Sequence, residues 1–189
     1  MAEVPTDEKN MPLLDHLVEL RSRLIYSVLT FFVFFFLAFS FAEEIFAFLV
    51  QPLATQMEQR SGARMIFTAL HEAFFTYIKV SFFTAAFVSF PLISTQIWLF
   101  VAPGLYKREK TAFLPFLIAT PLLFFMGGAL VYYLIFPFAW EFFLNFQTSG
   151  LEGSLPIQVE PKVDQYLSLV MQLIFAFGLS FQLPVVLSL

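Results

Sequence analysis

Four apolar runs, roughly 24–42, 80–101, 114–138 and 167–189, constrain the architecture of this 189-residue chain more than any motif does. The hydrocarbon core of a bilayer, about 30 Å thick, is crossed by roughly 20 helical residues, and each run approaches or exceeds that length. The rest of the composition agrees. Hydrophobic residues make up 59% of the chain, charged residues 13%, and 29 residues are phenylalanine, whereas an ordinary soluble domain is roughly 25% charged. The pattern predicts an all-α integral membrane protein with four spans in a single transmembrane domain. One run has a competing reading, because Ser40-Phe41-Ala42 resembles the small-x-small site of a signal peptide. A signal-peptide core is about 7–15 residues long. This run is longer and follows a long, partly acidic segment, so it is read as a span.

Charge and cysteine content exclude several functions. The ten Lys and Arg are scattered in a chain of net charge -4, which argues against nucleic acid as a partner. With no cysteine, a disulfide framework, a thiolate zinc site, an iron–sulfur cluster and a cysteine nucleophile are all ruled out. The basic residues orient the chain instead. Lys9, Arg21 and Arg23 precede the first span, and Lys107, Arg108 and Lys110 lie between the second and third. Arg60 and Arg64 follow span one, and Lys162 alone follows span three. By the positive-inside rule the N-terminus and the link around 103–111 are expected to be cytoplasmic, with the larger loops, about 43–73 and 141–164, outside.

Within the first outer loop, Ile45, Phe46, Phe48, Leu49, Leu53 and Met57 form an apolar set around Pro52, which predicts a helix lying in the outer interface. Pro91, Pro115, Pro121, Pro137 and Pro184 recur inside the spans. Each removes a backbone donor, and in a bilayer the freed carbonyl needs a partner from the protein. Gly127-Gly128 predicts close helix approach in span three, without the small-residue spacing of a dimer motif. Residues 1–10 are polar and read as disordered. The chain ends in Leu183–Leu189 with no polar flank, so the natural protein is expected to continue into further spans.

The residues with chemistry to offer are few. Glu19 shares a helix with Leu17, Leu20 and Leu24, at the point where a charged amphipathic segment meets the first span. A carboxylate at such a lip can receive a cationic peptide whose next segment is apolar, although an i,i+4 pair with Arg23 explains it equally. Glu109 is the only acid in the basic link 105–110. Gln182 stands in the fourth span, distant in sequence from both acids, where an amide still wants a partner. Lys79 can snorkel at the edge of the second span, and His16 and His71 fall on opposite sides, so no shared metal site is expected. No ATP-binding loop, zinc-protease motif or nucleophile elbow is present, and no cofactor is implied. An intramembrane enzyme lacks a visible nucleophile. A small-molecule or ion secondary transporter, the alternative reading, requires broken helices with mid-depth polar residues, which the sequence does not clearly offer.

Three blocks carry a family resemblance. They are His16-Leu17-Val18-Glu19-Leu20-Arg21 with Arg23, Pro91 through Gln96-Ile97-Trp98-Leu99-Phe100-Val101-Ala102-Pro103-Gly104-Leu105-Tyr106 to Glu109, and Ala176-Phe177-Gly178-Leu179-Ser180-Phe181-Gln182-Leu183-Pro184-Val185. In this order, with Gln51-Pro52-Leu53 between the first two, they resemble TatC, the multispanning receptor of the twin-arginine protein translocase. The resemblance implies a glove-shaped fold of six helices, of which this chain supplies the first four. It implies a non-enzymatic subunit of the bacterial inner membrane that binds twin-arginine signal peptides. With the single-span subunits TatA and TatB it forms a hetero-oligomer that exports folded proteins using the proton-motive force. By motif match, Glu19 and Glu109 are the peptide-binding acids, and Arg21, Phe100 and Pro52 are supporting positions. Gln182 departs from the family, which commonly has glutamate there.

Overall fold

The computed structural model describes residues 11–58, 64–105, 110–147 and 159–187. In chain order the helices are α1 (Met11–Ser40), α2 (Ala42–Met57), α3 (Glu72–Leu105), α4 (Lys110–Leu130), a π-helical turn (Val131–Ile135), α5 (Phe136–Leu144), α6 (Val163–Ser180) and α7 (Leu183–Leu187). Four stretches are long and apolar enough to cross a membrane: Asp15–Ser40, Glu72–Phe100, Pro115–Leu144 and Val163–Leu187. Each predicted run lies within or beside one of these, but the helices overrun the apolar runs. Intrahelical hydrogen bonding continues through polar turns, whereas hydropathy stops at the first charge. The second large loop accordingly begins after Leu144, not at Glu141, and α6 starts at Val163, not Leu167.

Proline chemistry sets the interruptions. Pro137 has no N–H to continue the i−4 ladder, and the chain widens into the π turn immediately before it. Pro184 would press its ring against the carbonyl of Ser180, and α6 ends at that residue. The fourth span is therefore broken at Phe181–Gln182 before α7 resumes. Pro91, Pro115 and Pro121 remain inside α3 and α4.

α1 packs mainly against α3. Ala38 is its one buried residue among those described, while Leu24, Phe32, Val33, Phe36 and Leu37 are exposed. An exposed apolar face of this kind is satisfied by lipid. The core lies among the other helices. Leu49, Leu53 and Met57 of α2 join Phe136, Trp140 and Leu144 near one end, with Val163, Leu167 and Val170 of α6. The helix expected around Pro52 is present, with Leu49, Leu53 and Met57 buried against protein and Phe48 exposed. Deeper in, Phe124 of α4 stacks on Phe90 of α3 at 3.7 Å and touches Phe87 and Phe175. Glycine permits this approach. A Cβ on Gly127 would fall 2.7 Å from the Phe177 carbonyl oxygen, and one on Gly178 would fall 2.8 Å from the Phe124 ring.

Pro52 shows how a spanning bundle tolerates a missing donor. In an unbroken helix residue 52 would donate to the carbonyl of Phe48. Here the hydroxyl of Tyr132, from the π turn, donates to that oxygen at 2.7 Å, and the Tyr132 ring stacks on Phe48 at 4.4 Å. Tyr166 of α6 donates to the adjacent Leu49 carbonyl at 3.1 Å. Two tyrosines thus fasten α2 to the third and fourth spans. Replacing Tyr132 with Phe is expected to destabilise the bundle by about 0.5–1.5 kcal/mol, the net worth of one hydrogen bond. Denaturant unfolding in detergent measures this. In a Pro52→Ala background, where the helical donor returns, the same substitution should cost less.

Candidate functional site

Glu19 lies two turns into α1, where the helix leaves its polar segment, with its side chain 36% exposed. One turn later Arg23 reaches back to it. Its Nε and Nη2 both donate to Glu19 Oε1, at 2.9 and 2.6 Å, and Oε2 bonds to no described residue. Arg23 Nη1 donates to Oε1 of Gln96 on α3 at 3.2 Å. One turn earlier on α1, His16 lies flat on Phe100 at 4.2 Å. The local pair anticipated for Glu19 is thus real, and it is also part of a seam joining α1 to α3.

From the same turn of α3, Trp98 points toward α4. Its indole donates to Thr120 Oγ1 at 3.0 Å, and that hydroxyl donates to the Phe116 carbonyl at 2.8 Å. The Thr120 carbonyl accepts a 2.9 Å bond from Gln182 Nε2, at the break in the fourth span. Gln182 Oε1 is buried without a hydrogen-bond partner. Gln96, Trp98 and Phe100 therefore link the Glu19 lip to Gln182 through one helical turn. Gln182, distant in sequence from Glu19, is connected to the lip by a short path across α3 and α4.

The other sequence-derived positions distribute unevenly. Phe100 joins Glu19 at the lip. Arg21 is exposed on α1 and makes no polar side-chain contact with a described residue. Pro52 belongs to α2, past the far end of α1, and does not meet the lip. Glu109 lies outside the described residues. His71 precedes α3 while His16 touches Phe100 near its other end, about 45 Å away at 1.5 Å per residue. Among the described residues, no three His, Asp or Glu side chains form a group able to hold a metal.

A second polar assembly occupies the opposite end. Ile66 and Lys162 form a β-bridge, with Ile66 N–H donating to the Pro161 carbonyl and Val163 N–H to that of Ile66, both at 3.1 Å. Arg64 pairs with Glu160 at 2.8 Å, and Lys79 pairs with Asp164. Buried Glu72 accepts from the Thr68 amide and hydroxyl and from the Ala69 amide, and Lys162 stands 3.8 Å from its other oxygen. Lys79, read as a snorkelling residue, is part of this clasp. Nothing in the local sequence pairs these groups, which lie up to almost a hundred residues apart.

These features define a polytopic helical membrane protein with a carboxylate-bearing lip at one end and clasped loops at the other. Residues 15–189 match the family model described as "Sec-independent protein translocase protein (TatC)". The chain belongs to the TatC family, a translocase component rather than a family of enzymes. A Magnetococcus marinus TatC is 54% identical over 178 residues, covering 94% of this chain and 63% of that protein. The Escherichia coli K12 protein is 39% identical over 178 residues, covering 94% of this chain and 66% of its own length. The chain thus spans about two thirds of these relatives. A crystal structure of the twin arginine translocase receptor TatC superposes with a TM-score of 0.77 at 35% identity, covering 91% of this chain and 72% of that one.

Thr120→Val removes the acceptor used by Trp98 and keeps the carbonyl used by Gln182. The expected loss is about 0.5–1.5 kcal/mol, the net worth of one hydrogen bond. In a Trp140→Phe background, tryptophan emission should shift to the blue, which steady-state fluorescence reports.

Proposed function

We propose that this chain is the receptor and core portion of a twin-arginine translocase, taking twin-arginine signal peptides at the cytoplasmic face of the bacterial inner membrane. The observation that supports it most directly is the Glu19 carboxylate, held at the lip with one oxygen unbonded among the described residues. Glu109 is assigned the second acid by its place in the motif. A guanidinium matches a carboxylate with two parallel N–H donors, which an ammonium does not. The acids supply selectivity. The apolar part of the signal peptide supplies affinity, at about 25 cal/mol per Å² removed from water.

The supporting residues fit around that core. Phe100 holds the lip through His16, Pro52 shapes the far end of the bundle, and Arg21 adds to the basic flank that keeps the N-terminus cytoplasmic. Gln182, with an unpartnered oxygen at a helix break, offers an acceptor to an incoming polar helix such as TatA or TatB. The reading includes a six-helix glove to which these four spans contribute, hetero-oligomeric assembly, and export of folded cargo driven by the proton-motive force. A secondary transporter would draw on the break at Phe181–Gln182, but family membership favours the receptor.

Glu19→Ala or Glu109→Ala should weaken twin-arginine peptide binding by about 1–3 kcal/mol each, the scale of a lost charge-assisted hydrogen bond. Affinity measurements with reconstituted protein test this, and an unchanged affinity in a folded double mutant rejects the assignment. For topology, Ser154→Cys should react with an impermeant maleimide added outside, while Arg108→Cys stays protected. The reverse pattern places the lip on the wrong side.

A further inference from the structure

Arg23 already presents a guanidinium to the carboxylate that the proposed function assigns to an incoming arginine. Its Nε and Nη2 converge on Glu19 Oε1, and its Nη1 reaches Gln96 Oε1 on α3. The Arg23 side chain is 24% exposed, so this is a partly dehydrated contact. An unpaired carboxylate in such a place is costly, and Arg23 holds Glu19 in one orientation.

We infer that Arg23 is an internal stand-in for the ligand's arginine, held on Glu19 when the lip is empty and retained by Gln96 when a peptide guanidinium displaces it. The inference rests on the receptor reading and adds an internal competitor to it. A peptide guanidinium replaces Arg23 like for like, regaining two N–H···O bonds. A lysine ammonium is a strongly hydrated point charge and must displace a two-bond donor while losing its own water. Competition with Arg23 therefore lowers the affinity of every Glu19-dependent peptide by the same factor, so the weaker lysine pairing falls below a useful affinity first. Gln96 suits the fallback role because its amide oxygen is a neutral acceptor. It keeps one bond to the displaced guanidinium without drawing Arg23 away from Glu19 beforehand. Because Gln96 belongs to α3, the exchange is available only while α1 and α3 are apposed.

The test uses the chain in lipid nanodiscs and three synthetic signal peptides that share one apolar segment and carry Arg-Arg, Lys-Lys or Ala-Ala before it. Arg23→Gln should tighten binding of Arg-Arg and Lys-Lys by a similar factor, on the order of tenfold, the equivalent of one charge-assisted bond, and leave Ala-Ala unchanged. Gln96→Leu should weaken Arg-Arg binding, and that effect should vanish when combined with Arg23→Gln. Should Arg23→Gln fail to fold, Arg23→Lys keeps the charge but loses the fork, and it should also tighten Arg-Arg binding. An unchanged Arg-Arg affinity in these variants overturns the stand-in. So does a loss of Arg-Arg affinity as large as that of Glu19→Ala, which makes Arg23 a supporting residue instead. If Arg-Arg and Ala-Ala bind the unmodified chain equally, the receptor reading itself fails. An Arg-Arg affinity untouched by Arg23→Gln alongside Glu19-dependent binding removes only the stand-in.

Discussion

Hydrocarbon offers no hydrogen bonds, so every backbone group that a proline frees within a spanning helix has to be served by another part of the protein. This requirement explains more of the fold than the apolar surface does. Lipid is as apolar as leucine and gives little reason for one helix to prefer another. The loop helix α2 follows the same rule at Pro52, where a tyrosine hydroxyl donates to the Phe48 carbonyl. That bond fixes where the π turn of the third span meets α2. Tyr166 adds a contact from the fourth span one residue further on. The positions of three helices follow from two carbonyls.

A similar economy of polar groups operates at mid-depth. Thr120 uses its hydroxyl for Trp98 and its carbonyl for Gln182, so one residue of α4 connects α3 to the broken fourth span. The break is itself a consequence of Pro184. Glycines at 127, 128 and 178 make the crossing of α4 and α6 close enough for backbone to approach backbone. Close packing and a few hydrogen bonds are the forces that remain for helix association in lipid.

The two ends of the bundle use charge differently. The clasp among Arg64, Glu160, Lys162, Glu72, Lys79 and Asp164 pairs acids with bases across two loops, leaving that end tied by ion pairs and a β-bridge. At the lip, Arg23 leaves one oxygen of Glu19 unbonded among the described residues. A closed network holds loops in place, whereas an open valence on a partly exposed carboxylate is suited to a ligand. Exposed ion pairs contribute only about 0–1 kcal/mol each, so the clasp stabilises mainly through its number of contacts and the buried Glu72.

Much of the architecture was legible from the chain itself. Hydropathy located the four spans, because burial in lipid demands apolar length whatever the partners. The set around Pro52 announced α2, and Gly127-Gly128 announced a close crossing. The lip was readable as well, since Glu19, Arg23 and the start of the apolar run lie within one local pattern and i,i+4 geometry follows from the helix alone. Tertiary structure decided what joins across distance: Arg23 to Gln96, Tyr132 to Phe48, Gln182 to Thr120, and Arg64 to Glu160. These pairings depend on helix rotation and crossing, which uniform hydrophobicity leaves open, since a phenylalanine-rich span presents nearly the same face to lipid in every direction. The helix ends were also beyond the sequence pattern, because hydrogen bonding carries a helix past the charge at which hydropathy stops.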